Sequence, residues 1–283
     1  MNKLSLSVSI LTAVLIQPST VKANDFSDVS ITSEQVSKNV YILYGAGGNI
    51  AAQVGKDGTL IVDDQFEPLA PKIEKALTGL SDNTKVSYVV NTHFHADHTS
   101  SNVYFSKSAS ILAHENVRKR LSVKSKEGLP VITYQTGVKL HLNDDTIDVQ
   151  HLGRGHTDGD SVIYFKKANV WHLGDLFFAD RFPYVDLQSG GQVSELVTRI
   201  STLLERIDDS AKVIPGHGTL TDKKGLQIYL DMIKETKSYV DDLKAQGLTE
   251  EQVIEKGLDK KWQDWSWAFI NEPKWISTLY KSK

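Results

Sequence analysis

An α/β architecture, with sheets packed face to face and helices outside them, is predicted from two observations. Short apolar strand candidates are interrupted by helical stretches twice along the chain. Beyond Asp222 only helical patterning remains, which adds a helical C-terminal segment, 222–283. The 283 residues contain no low-complexity stretch or linker that would divide them, so one domain is expected after residue 23.

The first 23 residues combine a lysine near the start, an apolar run from Leu4 to Ile16 and a small residue at Ala23. That pattern predicts a signal peptide, 1–23, cleaved after Val21-Lys22-Ala23, and a periplasmic or secreted mature chain, 24–283. The apolar run is too short for a membrane span, and no membrane association is expected after cleavage. Cleavage removes Lys3 and Lys22 and no acid, taking the formal net charge from −3 to −5. A mildly acidic chain without a basic block excludes nucleic acid as the expected partner. The chain has no cysteine, so any metal site must use nitrogen and oxygen ligands.

In order, Val40–Tyr44 and Ala51–Val54 read as strands around Gly45-Ala46-Gly47-Gly48, and Thr59–Val62 follows the turn Lys56-Asp57-Gly58. Pro68–Leu80 sets Leu69, Ile73, Leu77 and Leu80 on one helical face, and Val86–Val90 reads as a buried strand. A helix is expected after Ser100, then strand Ser110–Ala113, helix Glu115–Leu121 and a hairpin around Asn143-Asp144-Asp145. Strands Ser161–Phe165 and Val170–Leu173 precede helix Val193–Ile207, and strand Ala211–Ile214 runs into Pro215-Gly216. The tail offers a helix from Asp222 to about Gln246, stopped by Gly247, and a capping box at Thr249-Glu250-Glu251-Gln252.

The chemistry is concentrated in Asn91-Thr92-His93-Phe94-His95-Ala96-Asp97-His98, where the strand Val86–Val90 ends. Three imidazoles and a carboxylate within six residues are costly to bury unless they share a cation. Three further candidates sit in glycine turns at strand ends: His156 after Gly155, Asp175 after Gly174, and His217 in Pro215-Gly216-His217-Gly218. Asp and Gly form turns on their own account, so the shared position at strand ends is what recommends them. Histidine and carboxylate without thiolate suit zinc, iron or manganese.

The ordered run His93-x-His95-x-Asp97-His98, His156, Asp175 and His217 resembles the metallo-β-lactamase superfamily over about Val40 to Gly218. The resemblance implies a four-layer αββα sandwich with the site along one edge of the two sheets. It implies that His93, His95 and His156 hold one Zn²⁺, that Asp97, His98 and His217 hold the other, and that Asp175 bridges them. The implied activity is that of a metal-dependent hydrolase, whose hydroxide, held between the ions, attacks a carbonyl of a small-molecule ester, thioester, lactone or lactam. Asp97 can orient that nucleophile and shuttle its proton.

Asp175 stands where the commonest metallo-β-lactamases carry cysteine, so the chain resembles the wider group of glyoxalase II-like thioesterases, lactonases and exported hydrolases. Two alternatives stay open: a periplasmic metallo-β-lactamase, and a mononuclear iron persulfide dioxygenase, which shares the histidine run. Leu176–Tyr184 is a candidate substrate wall, and Gly45–Asn49 is either a flap or a tight hairpin. Trp262, Trp265, Trp267, Phe269 and Trp275 are expected to pack the last helices. His114, His141, His151 and His172 are not expected as ligands, although His114 and His172 could orient ligands. Oligomeric state and native metal are not legible.

Overall fold

The computed structural model describes residues 26–282 apart from Asp82 and Thr84, and the expected signal peptide lies outside the described residues. One sheet is built from β1 (Thr32–Ser37), β2 (Val40–Tyr44), β3 (Ile50–Gln53), β4 (Thr59–Val62), β5 (Val86–Val90), β6 (Ser110–His114) and β7 (Ile132–Tyr134), in that spatial order. Its first four strands form an antiparallel meander, and β4 to β7 run parallel. The second sheet comprises β8 (Gly137–Leu142), β9 (Asp145–Gln150), β10 (Val162–Phe165), β11 (Val170–His172), β12 (Lys212–Ile214) and β13 (Thr221–Asp222), in the order β13-β12-β11-β10-β9-β8. The hairpin between β8 and β9 turns on Asn143 and Asp144, whose φ angles of 55° and 60° suit a two-residue turn of the mirror-image type.

The eight α-helices are α1 (Ala70–Thr78), α2 (Ala96–Thr99), α3 (Asn102–Phe105), α4 (Glu115–Lys124), α5 (Val193–Arg206), α6 (Lys223–Ala245), α7 (Glu250–Lys256) and α8 (Glu272–Lys281), counted among the described residues. Side-chain alternation distributes them over the two outer faces. In β4, Leu60 and Val62 point inward to meet Ile147, Val149, Ile163 and Phe165 of the second sheet. The intervening Ile61 points outward to pack with Ile73 and Leu77 of α1 and Phe105 of α3. The second sheet likewise turns Val162, Trp171 and Val213 toward Leu196 and Ile200 of α5, Leu226 and Ile233 of α6, and Trp275 of α8. The result is the expected αββα layering with a helical C-terminal region, and strands such as β3 and β4 are buried on both faces.

Three strands were not legible in the sequence. β1 is largely exposed and polar, β7 has three residues, and β13 has two. The helix expected after Ser100 is the single turn α3, and a second single turn, α2, precedes Ser100. The capping box at Thr249 and Gln252 opens α7 as expected.

The strand directions decide where the chemistry collects. β10 is antiparallel to β9 and to β11, while β12 is parallel to β11, so the ends of β9, β11 and β12 lie on one edge. The end of β5 faces them across the sandwich, where Ser161 donates its backbone N–H to the Thr92 carbonyl at 2.8 Å. His93–His98, His156, Asp175 and His217 follow these strand ends.

Candidate metal centre

His93 lies in the loop after β5, His95 occupies the N-cap position of α2, and Asp97 and His98 fall within that turn. His156 comes from the β9–β10 loop, Asp175 from the 3-10 turn Gly174–Leu176, and His217 from the loop after β12. All seven predicted positions meet, in two groups: His93, His95, His156 and Asp175, and beside them Asp97, His98 and His217.

In the first group, His95 Nδ1 is 3.0 Å from His93 Nε2 and 2.9 Å from His156 Nε2. Asp175 Oδ2 completes it at 3.7 Å from His93 Nε2 and 3.4 Å from His156 Nε2. In the second group, Asp97 Oδ2 is 3.3 Å from His217 Nε2 and 3.6 Å from His98 Nε2, and the two imidazoles are 3.4 Å apart. The other oxygen of Asp175, Oδ1, reaches this group, at 3.1 Å from His98 Nε2 and 3.4 Å from His217 Nε2.

Donor chemistry shows whether these residues suit metal ions. Thr92 gives its hydroxyl proton to Asp63 at 2.8 Å, so its oxygen accepts from His93 Nδ1 at 3.0 Å. His95 Nε2 donates to Asp186 at 3.1 Å, His98 Nδ1 to Asp63 at 2.7 Å, and His156 Nδ1 to the Tyr184 carbonyl at 2.7 Å. Each of these four rings is thereby held with its other nitrogen facing the cluster, the arrangement that orients metal-binding histidine. Tetrahedral zinc with bonds of roughly 2.0–2.1 Å would separate its ligands by about 3.3 Å, which the observed spacings bracket. Asp175 Oδ1 is buried against the ring nitrogens of His98 and His217, where a shared ligand atom would lie. The set fits two cations.

The two groups differ in charge. Burial pushes His93 well below the ordinary imidazole range and His156 down to about 4, so both are neutral at neutral pH. Against the effect of burial, the carboxylates of Asp175, Asp97 and Asp63 hold His98 well above that range, and Asp175 and Asp97 lift His217 to about 9. Against burial likewise, the surrounding histidines keep Asp175 well below, and His98 and His217 keep Asp97 below, the usual carboxylate range.

Several supports were invisible in the sequence. Asp63 and Asp64 follow β4 directly, and this acidic pair behind an apolar strand was the available signal. Asp63 adopts φ 63°, an unusual conformation for a non-glycine residue, and also accepts the Thr92 backbone N–H at 2.7 Å. Gly48 and Gly216 let backbone pass where a β-carbon would strike the His98 ring and the Asp175 carboxylate, respectively. Asn49 reaches the carbonyls of Pro215 and Gly218 at 3.0 and 2.8 Å, fixing the His217 loop. Gly45–Asn49 is thus pinned onto the site as a tight loop. His172 bonds the Asn49 carbonyl at 3.0 Å and accepts from Gly174 N–H at 3.2 Å, supporting the turn that bears Asp175. His114 stacks on His151 and caps α4.

Beside the cluster opens a cleft of about 950 Å³, lined by Phe66, Phe94, Phe178, Tyr184, Trp267 and Phe269 together with Asp97, Lys124 and Arg181. Within the wall candidate, Phe178, Arg181 and Tyr184 face the cleft, while Leu176, Phe177 and Phe182 are core. The aromatic tail divides similarly. Trp265 and Trp275 are buried as packing, whereas Trp267 and Phe269 form part of the cleft wall.

A family model described as the metallo-beta-lactamase superfamily matches residues 47–217. The chain is 26% identical over 220 residues to a protein named metallo-beta-lactamase type 2 from Bacillus sp. (strain 170), covering 75% of this chain and 84% of that one. It is 28% identical over 207 residues to a probable metallo-hydrolase from Methanocaldococcus jannaschii, covering 66% of this chain and 90% of that one. Its fold is similar to the crystal structure of DIM-1 metallo-beta-lactamase, with TM-score 0.64 and 21% identity over 74% of this chain and 99% of that chain. With the family model spanning more than half of its length, the chain belongs to the metallo-beta-lactamase superfamily.

Proposed function

We propose that the protein is an exported, two-zinc hydrolase of small-molecule carbonyl compounds. One observation carries the reading: Asp175 presents Oδ2 to the three-histidine group and Oδ1 to the group of Asp97, His98 and His217. A buried carboxylate divided in this way serves two cations better than one. When bound, such a pair supplies a water of lowered pKa and a Lewis acid for the carbonyl oxygen.

The chain's own residues do the rest. His93, His95 and His156 hold one ion, Asp97, His98 and His217 hold the other, and Asp175 is shared. Asp97 lines the cleft and keeps about a quarter of its side chain accessible, at 27%. It is placed to take a proton from the attacking water and return it to the leaving group. The aromatic wall excludes water and receives the apolar body of the substrate.

An ester, thioester, lactone or lactam would all suit this arrangement. Lactam hydrolysis is the second reading, supported by the likeness to the Bacillus protein named a metallo-beta-lactamase over most of that protein's length. A mononuclear iron dioxygenase, the third reading from sequence, has less support, because it leaves the Asp97, His98 and His217 group without a purpose. The test is turnover by the zinc-loaded mature chain of a chromogenic cephalosporin beside an aryl ester, a thioester and a lactone. Chelator-sensitive cleavage of any of them supports the hydrolase, and cleavage of the cephalosporin selects the second reading. No cleavage of any, with zinc bound, counts against it.

A further inference from the structure

The three-histidine group is assembled from both sheets, since His93 and His95 follow β5 and His156 follows β9. Its walls are therefore joined by something other than backbone continuity. Arg120, on α4, stands at that junction. Its Nε and Nη2 donate to the two oxygens of Asp158, both at 2.8 Å, and Asp158 lies two residues beyond His156. The same guanidinium lies over the ring of Phe94, 5.1 Å from its centroid, and Phe94 separates His93 from His95. Asn116, on the same helix, donates to the Asp158 carbonyl at 2.8 Å. Asp158 also donates its N–H to the Ser189 carbonyl at 3.0 Å, and Asp186, at the head of that turn, accepts from His95 Nε2. Arg120 thus touches the histidine loops of both sheets and, through Asp158, the segment that orients His95.

We infer that Arg120 is a positioning residue for the three-histidine ion, clamping the His93–His95 loop to the His156 loop through Phe94 and Asp158. A planar, bidentate guanidinium fixes angle as well as distance, and its flat face stacks on the aromatic ring, which a lysine ammonium could not reproduce in full. Every contact of the clamp falls on the three-histidine side. The clamp rests on the two-ion reading, and it predicts an asymmetry between the two ions.

The test is titration of the metal-free mature chain with cobalt(II), following visible absorption and heat, in wild type, Arg120→Met and Arg120→Lys, with folding checked by circular dichroism. Arg120→Met is expected to weaken the three-histidine ion by about tenfold or more and the other by less than about twofold. Arg120→Lys should fall between, and the exchange Arg120→Asp with Asp158→Arg should recover part of the loss. Equal weakening of both ions, or unchanged affinity in Arg120→Met, overturns the clamp. A wild-type chain that binds one ion contradicts the two-ion reading instead. The clamp is then judged on that ion if it sits among the three histidines, where unchanged affinity in Arg120→Met again overturns it.

Discussion

The two halves of the candidate metal centre are built on different principles. In the three-histidine half each imidazole is held from behind by an acceptor, Thr92 for His93, Asp186 for His95 and the Tyr184 carbonyl for His156, and burial keeps His93 and His156 neutral. The other half is an ion-pair network in which His98 and His217 carry protons among Asp97, Asp175 and Asp63. One half is ready for a cation, and the other already holds positive charge that a cation must displace. Geometry limits the first half, and proton competition limits the second.

Asp175 is the point at which the comparison should collapse. Asp175→Ala is expected to weaken both ions more than about 100-fold, beyond the usual loss from an orienting residue, with turnover falling in parallel. Metal content by mass spectrometry checks this, and a variant that keeps one ion at wild-type affinity would show that the carboxylate is not shared.

Smaller changes should separate the halves. Asp186→Asn removes the charged acceptor behind His95 and should cost the three-histidine ion about 10-fold to 100-fold. Asp63→Asn removes the charged acceptor behind His98 and reaches His93 only through Thr92, so its larger loss should fall on the other ion. Competition against a chromophoric chelator reads both constants. If the two variants weaken the same ion, the assignment of supports to halves is wrong.

Proton competition gives the comparison a pH signature. His217, raised to about 9, and His98, also raised well above its ordinary range, are protonated at pH 7 in the metal-free chain. Binding must therefore release protons, and affinity for that ion should rise with pH through about 9, where His217 titrates. His156, lowered to about 4, and His93 are already neutral, so affinity for the three-histidine ion should depend less on pH than that for the other ion. Calorimetry in buffers of different ionisation heat counts the protons. Equal release at both sites would erase the distinction.

The smallest expected effect lies outside both halves. Trp267 lines the cleft, with its ring centroid 5.7 Å from that of His217, and donates Nε1–H to the Phe182 carbonyl at 2.9 Å. Trp267→Phe keeps the apolar wall and loses that bond, at a cost near 1 kcal/mol. It should raise KM severalfold with little change in kcat, and a fall in kcat alone would place Trp267 nearer the reacting atoms.

The sequence carried the candidate ligands because metal chemistry needs particular side chains at strand ends, and those are visible one residue at a time. It carried β2, β4 and β5 because their apolar runs are bounded by turn residues. It did not carry β1 or β7, whose pairing depends on neighbours in the sheet and not on their own mainly exposed residues. Nor could it show Asp63 as the brace for His98, since 35 residues separate them and only the parallel pairing of β4 with β5 brings their ends together. The split of the aromatic tail was hidden for a similar reason. Trp265 and Trp267 are two residues apart and equally apolar, and only the path of the chain past Phe182 puts one in the core and the other in the cleft.

The central claim is that seven side chains form two cation sites that share Asp175. Its most direct test is the number of zinc ions bound per chain, measured by mass spectrometry after loading and gel filtration, in wild type and Asp175→Ala. Two ions in the wild type, with both lost from the variant, is the predicted result. One ion in the wild type, or one retained at full affinity in the variant, would contradict it.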